Sequence, residues 1–501
     1  MEKTYFNPIF EHYNIDYKSC IQEYKEQIDY NNYIVSIDGK DNNCFMKTIP
    51  LVDYIKYLIG KYKKYNICLL PTKENNCNNV YDEYIHSIHN YAYVDNFFYI
   101  LSSQLNVNGF KHGINVYDSY ISLKENCEIN IVDDFEYLCD SNYFNDNLNK
   151  LFKFKDDKIH SLFSNLKKPP IELSEENIDI EYDVLEDVDV IDHKLQSIDI
   201  SMDLIHEKEV RDETDSSSEE SDSSTEGSED SEDNYSTDTQ SDESNESIMD
   251  ELVLIINKIP SQNIILEKCV DTLDSLFESG DINIEQLTSS VFQIVLILYV
   301  YQNVFHFTHN DLHTNNIMYV DTTEEFLYYK IKGHFYKVPT YGKLYKLIDF
   351  GRAIYTYADN RLCSDSFSSN GTAHGQYNCE PFYNKNKPKI EPNYSFDLCR
   401  LACSMFDFII DDLKDIETFR NIPIYDMIIS WVYDDNSNNV LYKKNGDERY
   451  PDFKLYKMIS KNVNNHIPDK QFDHKAFNHY KQEMLETFVD IDELIKMKVH
   501  L

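Results

Sequence analysis

Residues 308–318 read Thr-His-Asn-Asp-Leu-His-Thr-Asn-Asn-Ile-Met, and residues 347–353 read Leu-Ile-Asp-Phe-Gly-Arg-Ala. In the first stretch Asp311 is followed, five positions later, by Asn316, which opens an apolar run. In the second stretch Asp349 ends an apolar run immediately before Phe-Gly. Phosphoryl transfer needs one carboxylate to orient the attacking hydroxyl and further oxygens to hold Mg²⁺ on the nucleotide phosphates. The two stretches together predict a site for this chemistry.

The pattern H-x-D-L-x-x-x-N over residues 309–316, followed by D-F-G at 349–351, resembles the catalytic loop and metal-binding turn of the protein-kinase superfamily. His313 stands where most serine/threonine kinases carry lysine, and this Asp-Leu-His pattern is similar to haspin-type kinases and to aminoglycoside and choline phosphotransferases. Residues 348–353 also resemble the small-molecule phosphotransferases. The whole chain resembles the kinase-like proteins of giant DNA viruses of amoebae.

The resemblance implies an α+β, bilobal protein-kinase-like fold, with an antiparallel sheet and a helix in the N-lobe and a mainly helical C-lobe. It implies ATP and Mg²⁺ as cofactors. Asp311 would be the catalytic base, and Asn316 and Asp349 would bind the metal. His309 would support the loop by packing and hydrogen bonding. Asp397 resembles the buried helix aspartate that bonds to the backbone of the catalytic loop in kinases.

Lys47 ends an apolar strand that follows a predicted strand hairpin, which is where the kinase fold supplies the lysine for the α- and β-phosphates. A lysine that ends an edge strand is also an ordinary solvent-exposed residue, so both interpretations are open. Apolar side chains recur at helical spacing over residues 91–105, which predicts a helix. Asp95 on this helix is the candidate partner of Lys47, and Glu83 is the alternative.

Three functions are open on the sequence alone. A serine/threonine protein kinase is favoured, because the chain has the length and domain order of one. The Asp-Leu-His and Phe-Gly-Arg-Ala patterns favour a small-molecule phosphotransferase. A pseudokinase that scaffolds partners is favoured by a missing feature, since no G-x-G-x-x-G precedes Lys47 and Gly39 stands alone there.

The formal charge of the 501-residue chain is −41, and residues 171–250 hold 30 acidic and 3 basic side chains. From residue 212 to 247 the chain is almost wholly Ser, Asp, Glu, Thr and Asn, which cannot bury enough apolar surface to order itself. This segment is predicted to be a disordered insertion whose serines, followed by acids, suit acid-directed kinases. It could dock basic partners. The acidity excludes a general nucleic-acid surface, which must be basic.

The composition and the apolar runs predict strands at 110–123 and 128–137, the acidic insertion at 171–250 and an inserted hairpin at 326–338. Together with these, the resemblance to kinases implies an N-terminal extension at 1–30, a first N-lobe part at 31–170 and a last N-lobe strand and hinge at 251–260, with adenine expected near 257–259. It implies a C-lobe at 261–501.

The sequence also predicts a cytoplasmic protein, in the host cytoplasm or a virion if the chain is viral. The 11 cysteines form no C-x-x-C pair, as expected for reduced thiols. Residues 1–14 lack the apolar run of a signal peptide. The apolar run at 291–307 contains Gln, Asn and His, which favours a buried core helix over a membrane span.

Overall fold

A computed structural model of the chain describes residues 3–73, 79–132, 134–156, 252–497, 499 and 501. The fold is a mixture of helices and antiparallel sheet, in agreement with the predicted α+β class. The acidic insertion at 171–250, with its predicted disorder and phosphorylation sites, lies outside the described residues.

The strands of the described residues are β1 (Lys3–Thr4), β2 (Glu23–Gln27), β3 (Asn32–Ile37), β4 (Lys40–Pro50), β5 (Val116–Asn130), β6 (Phe152–Phe154), β7 (Val253–Glu267), β8 (Asp271–Thr272), β9 (Ile317–Asp321), β10 (Phe326–Ile331), β11 (His334–Pro339), β12 (Lys343–Leu347), β13 (Tyr355–Tyr357), β14 (Asn360–Leu362), β15 (Lys481–Gln482) and β16 (Val489–Asp490). The α-helices of the same residues are α1 (Pro8–Tyr13), α2 (Tyr54–Leu58), α3 (Val80–Ile85), α4 (Tyr91–Gln104), α5 (Phe135–Cys139), α6 (Asn142–Asn147), α7 (Leu273–Glu278), α8 (Ile284–Phe305), α9 (Phe396–Ile409), α10 (Ile416–Phe419), α11 (Pro423–Trp431), α12 (Phe453–Asn462), α13 (Pro468–Gln471) and α14 (Ile491–Leu494).

The main sheet has the strand order β1-β5-β7-β4-β3-β2, with β6 paired to the other end of β7. All of these neighbours are antiparallel. Strands β3 and β4 form a hairpin whose two turn residues, Asp38 and Gly39, have φ values of 50° and 75°. Such positive values match the twist of a two-residue hairpin, so this Asp-Gly pair fixes the register of the strand that carries Lys47.

The predicted N-terminal extension is part of the sheet. Residues 1–30 supply β1, which pairs with β5, and β2, which pairs with β3 at the opposite edge. Every residue of β2 is exposed, and its sequence, Glu-Tyr-Lys-Glu-Gln, is mostly charged or polar. Charged side chains are common on edge strands because they discourage pairing with other molecules. Strand β2 was not predicted because its sequence is polar.

Strand β5 corrects the prediction of two strands at 110–123 and 128–137. It is one strand of 15 residues, and the second predicted strand is replaced at its far end by α5. The predicted break between the strands covers residues 124–127, three of which are polar, but β7 pairs with Lys124, Glu125 and Cys127 inside that break. The ladder to a buried neighbouring strand therefore overrides the local turn signal.

Strand β7 also runs further than predicted, through Pro260 to Glu267. The predicted strand end at Pro260 is wrong, because β7 stays paired with β5 as far as Leu266. Residues 257–259, near which adenine was expected, lie within this strand. Proline is tolerated here because β4 ends at Pro50, which lies opposite Ser261, so the missing N–H removes no bond to β4. The chain leaves the sheet only after Glu267.

Helix α8 is the long buried helix that leads into residues 308–318. It begins at a capping box in which Asn283 and Gln286 bond to each other's backbone, and it ends where His306 adopts a left-handed φ of 50°. Among the described residues it is the one helix long and apolar enough to cross a membrane, and most of its side chains are buried within the fold. That burial is the behaviour predicted for a core helix.

Strands β10 and β11 form the hairpin predicted at 326–338, with Lys332 and Gly333 in its two-residue turn. The hairpin extends into a four-stranded sheet by pairing with β15 and β16. It is inserted between β9 and β12, which pair directly with each other. The long gap in sequence between Asn316 and Asp349 is thus closed in space.

Candidate active site

The Asp311 loop (residues 308–318) and the Asp349 turn (residues 347–353) lie side by side. The backbone N–H of Ile348 donates to the carbonyl oxygen of Asn316 at 3.0 Å. The buried ring of His309 donates from Nε2 to the carbonyl oxygen of Ile348 at 2.9 Å. Burial lowers the pKa of this histidine and keeps the ring neutral. His309 is therefore a structural link between the two segments.

Asp397, on α9, holds the backbone of the Asp311 loop. Its Oδ2 accepts from the N–H of His309 and its Oδ1 from the N–H of Asn310, each at 2.8 Å. Asn310 has a φ of 65°, a conformation that costs energy for a residue other than glycine. Burial raises the pKa of Asp397 to about 7, against the opposing effect of the two N–H donors. The Asp397 carboxylate thus stabilises the strained backbone of the Asp311 loop.

Lys47 joins the sheet, helix α4 and the Asp349 turn. Its Nζ lies 2.9 Å from Oδ2 of Asp95 and 3.1 Å from Oδ1 of Asp349. The side chain of Asp95 is fully buried, whereas that of Asp349 is 38% exposed. The predicted Lys47–Asp95 pair is therefore present, and Glu83, the alternative partner, is exposed on α3.

The charges of this cluster shift one another's pKa values. Burial raises the pKa of Asp95 to about 6, although Lys47 opposes the shift. Burial acts in the same direction on Asp349, but the Lys47 ammonium, with a hydrogen bond from Tyr91, lowers its pKa to about 2. At neutral pH two carboxylates flank one ammonium, so the cluster has an excess negative charge that favours a divalent cation.

One face of α4 contacts Asp349 and Phe350 in the Asp349 turn. The hydroxyl of Tyr91 donates to Oδ1 of Asp349 at 3.1 Å, and the N–H of Asp349 donates to the hydroxyl of Tyr99 at 3.0 Å. Oδ1 of Asp95 accepts from the N–H of Phe350 at 2.6 Å. Tyr91, Asp95 and Tyr99 are spaced four residues apart and so share this face of the helix. The helix therefore fixes both the backbone and the carboxylate of the turn.

The amide of Asn316 has a fixed orientation. Its Nδ2 donates to the carbonyl oxygen of Asp311 at 2.9 Å and to Nε2 of His313 at 3.0 Å. Burial lowers the pKa of His313, so the ring is neutral and Nε2 is free to accept. With both N–H groups bound inside the loop, Oδ1 of Asn316 is the atom left for a ligand.

The donor set at Asn316 and Asp349 fits Mg²⁺, which prefers amide and carboxylate oxygens and keeps ligands from water and phosphate. Among the described residues, no group of three or more His, Cys, Asp and Glu side chains is placed to hold a metal ion. A site with one amide and one carboxylate leaves the remaining coordination positions of the metal to water or to another ligand.

Asp311 has two side-chain partners that the sequence did not predict. The hydroxyl of Tyr456 donates to its Oδ1 at 2.7 Å, and Nη1 of Arg352 lies 3.3 Å from its Oδ2. Nε of Arg400 donates to the same tyrosine hydroxyl at 3.0 Å. Tyr456 belongs to α12, a segment without any motif, whereas Arg352 directly follows the Asp-Phe-Gly triplet.

The loop beside Lys47 is residues 28–31, between β2 and β3, where the N–H of Met46 donates to the carbonyl oxygen of Asn31 at 2.7 Å. Gly39 lies in the turn at the other end of β3 and is not part of this loop. The loop has no glycine, and the carboxylate of Asp29 accepts from three donors of its own turn, namely the N–H groups of Asn31 and Asn32 and Nδ2 of Asn32. It is a self-capped turn with a negative side chain.

The chain has no detected relative in two sequence comparisons: no protein-family model matches it, and no curated protein matches it. The evidence for the candidate site is therefore the sequence pattern and the geometry of its residues. The structure brings together all the predicted residues, namely Lys47, Asp95, His309, Asp311, Asn316, Asp349 and Asp397. The side chains that sequence reasoning missed are Tyr91, Tyr99, Arg352, Arg400 and Tyr456.

Proposed function

We propose that this chain is an ATP-dependent phosphotransferase that moves the γ-phosphoryl group of Mg²⁺-ATP to a hydroxyl, with serine or threonine of a protein as the acceptor. The observation that carries the proposal is the double contact of Lys47 with Asp95 and Asp349. A lysine that holds phosphates needs a helix carboxylate to fix its amine and a second carboxylate to place the metal beside it.

The proposed fold is the bilobal arrangement of the protein-kinase superfamily. Strands β1 to β7 with α4 would form the N-lobe, and α8 to α14 would form the core of the C-lobe. Because β7 continues to Glu267, the hinge in this proposal is residues 268–270. Backbone groups of those residues would hold the adenine.

Each residue of the site has a distinct part in the proposed reaction. Asp311 orients the acceptor hydroxyl and accepts its proton as the oxygen attacks the γ-phosphorus and ADP leaves. Asn316 and Asp349 would hold Mg²⁺, which when bound neutralises charge on the phosphates. Lys47 holds the α- and β-phosphates, and Asp397 keeps Asp311 in place through the loop backbone.

The second candidate function is a scaffold that binds partner proteins without catalysis, with or without bound nucleotide. One observation favours it. Residues 28–31 adjoin Met46, the residue before Lys47, but they offer no glycine for close backbone contact with phosphates. Asp29 adds a negative charge to the same loop, and repulsion between this carboxylate and phosphates would weaken binding. This candidate would use the same fold without catalysis.

The decisive experiment measures transfer of ³²P from γ-labelled ATP to mixed protein and small-molecule acceptors. Wild type should label protein serine or threonine, and Asp311→Asn should lower the rate by about a thousandfold or more, since the general base is lost and the loop loses its charge. Asp407→Asn is the matched control, because Asp407 lies on α9 and accepts a bond from Tyr442 outside the site. Label only on an aminoglycoside, choline or a sugar would contradict the protein-kinase proposal.

Nucleotide binding is measured separately by thermal shift with Mg²⁺-ATP. Wild type should be stabilised, and Asp349→Ala should lose the stabilisation, because the variant removes a metal ligand and a partner of Lys47. Absence of any shift in wild type would favour the scaffold. A shift without transfer to any acceptor would favour a nucleotide-binding scaffold.

A further inference from the structure

The hydroxyl of Tyr456 occupies an unusual position for a residue so far along the chain. It lies 145 residues from Asp311 in sequence but 2.7 Å from its Oδ1. This distance is within the range at which a general base receives the hydrogen of an acceptor hydroxyl. Helix α12 therefore reaches the reacting side chain of the proposed site.

Both oxygens of Asp311 have a partner from a different element. Oδ1 accepts from Tyr456 on α12, and Oδ2 pairs with Arg352 of the Asp349 turn. Rotation of the carboxylate about its last bond would break one or both contacts. The orientation of the carboxylate is thus fixed from two sides, and the lone pairs that remain define where an acceptor hydroxyl can bind.

Tyr456 is itself held in place. Nε of Arg400 donates to the phenolic oxygen at 3.0 Å, and the ring stacks on Phe453 with centroids 5.1 Å apart and planes at 20°. Because Arg400 only donates hydrogen bonds, the phenol must be the acceptor from it and the donor to Asp311. The direction of the hydrogen bond to the base is therefore set by the surrounding charges.

We propose that Tyr456 is a positioning residue that fixes the orientation of the Asp311 carboxylate for the acceptor hydroxyl, with Arg400 holding the phenol. This inference rests on the proposed function, since it needs Asp311 to be the base. Its physical basis is preorganisation: a carboxylate that is free to rotate spends less time in the reactive orientation.

The test compares Tyr456→Phe with Tyr442→Phe. The second tyrosine also donates to an aspartate, Asp407, at 2.8 Å, but on the surface and outside the site. Tyr456→Phe should lower kcat about tenfold or more, while the KM for ATP stays within about twofold because Lys47 and the metal ligands are unchanged. Tyr442→Phe should leave both constants at wild-type values.

Two further backgrounds separate positioning from a general structural effect. In Asp311→Asn the base is absent, so adding Tyr456→Phe should leave the residual rate unchanged, whereas a structural defect would lower it again. Arg400→Lys removes the bond to the phenol but keeps the charge. It should lower kcat in the same direction, and its effect should not add to that of Tyr456→Phe. This variant also serves as the test if Tyr456→Phe does not fold.

The outcomes distinguish the two proposals. Wild type without transfer to any acceptor would overturn the proposed function and this inference with it. Active wild type with Tyr456→Phe equal to Tyr442→Phe, or faster than wild type, would overturn the inference alone. A further loss on adding Tyr456→Phe to Asp311→Asn would also overturn it.

Discussion

The ring of Tyr91 fills the space that a side chain at Gly351 would need. A Cβ atom built on this glycine would lie 1.9 Å from Cζ of the tyrosine. The same tyrosine donates to Oδ1 of Asp349 at 3.1 Å. The glycine of the Asp-Phe-Gly triplet is therefore required by a contact from α4, and that contact reaches the proposed metal ligand two residues earlier.

Gly351→Ala should destabilise the fold by about 1–3 kcal/mol through overpacking, and it should abolish stabilisation by Mg²⁺-ATP because Tyr91 must move away from Asp349. Thermal unfolding with and without nucleotide measures both effects. Gly333→Ala is the control for nucleotide binding. Its φ of +76° strains an alanine, but its Cβ would meet nothing within 4 Å, so this variant should keep the stabilisation by Mg²⁺-ATP. A Gly351→Ala protein that binds nucleotide like wild type would show that the Tyr91 contact is dispensable.

Lys47→Met should become more destabilising as the pH rises from 5 to 8. Burial raises the pKa of Asp95 in the folded protein to about 6, above its ordinary 3.8. Its contribution to the stability of the wild type therefore falls as the pH rises from about 3.8 to about 6. Without the ammonium the pKa values of Asp95 and Asp349 both rise, and ionising the two carboxylates opposes folding further. The measurement is the difference in Tm between variant and wild type at each pH.

Lys330→Met is the matched control for this pH dependence, because Lys330 contacts Asp490 at 2.8 Å and Asp492 at 3.9 Å in the inserted hairpin region. The lysine lowers the pKa of Asp490, so this group is ionised in folded and unfolded chains above pH 5. Its Tm difference from wild type should be constant between pH 5 and 8. A constant difference for Lys47→Met as well would contradict the proposed coupling.

His313→Ala should increase the Mg²⁺ concentration needed for half-maximal activity by roughly 10- to 100-fold, the usual cost of losing a group that orients a metal ligand. The reason is that Nε2 of His313 accepts from the amide of Asn316 and keeps Oδ1 directed to the ligand side. A Mg²⁺ titration at fixed ATP measures the effect. His334→Ala, an exposed histidine of β11, should leave the titration unchanged.

Asp397→Asn should lower the free energy of unfolding by about 2–3 kcal/mol and reduce transfer. One of its oxygens becomes an NH₂ group, which faces the backbone N–H of either His309 or Asn310 and cannot accept from it. Chemical denaturation and the transfer assay are the measurements. Asp407→Asn, on the exposed side of the same helix, should cost much less, and equal losses for the two variants would exclude a specific role for Asp397.

The sequence predicts those parts of the site whose geometry is local. Asp311 and Asn316 lie five residues apart in one loop, and Asp349 lies two residues after β12, which pairs with the strand that follows this loop. Asp95 was predicted because apolar spacing over residues 91–105 indicates a helix, and the resemblance to kinases implied an acidic partner for Lys47 on that helix. Tyr456 could not be found in this way, since its contact with Asp311 spans 145 residues and α12 carries no motif.

The errors in the predicted fold have a common physical cause. The polar residues 124–126 and Pro260 are local signals for a turn, but both lie in strands that are paired over most of their length. Residues 23–27 are polar because they form a sheet edge, not because they are outside the fold. Local composition reports exposure and turn propensity, whereas strand pairing is decided by distant partners.

Phe154 and Leu254 face each other in the pair formed by β6 and β7, and the N–H of Lys155 donates to the carbonyl oxygen of Val253 at 2.9 Å. The intervening segment therefore departs and returns at points about 5 Å apart. Closure entropy grows only with the logarithm of loop length. A short turn in place of residues 157–251 would therefore still join β6 and β7 as antiparallel neighbours. That excision would discard 32 acidic and 6 basic residues. Most of the excess negative charge of the polypeptide thus lies outside the part that the structure describes.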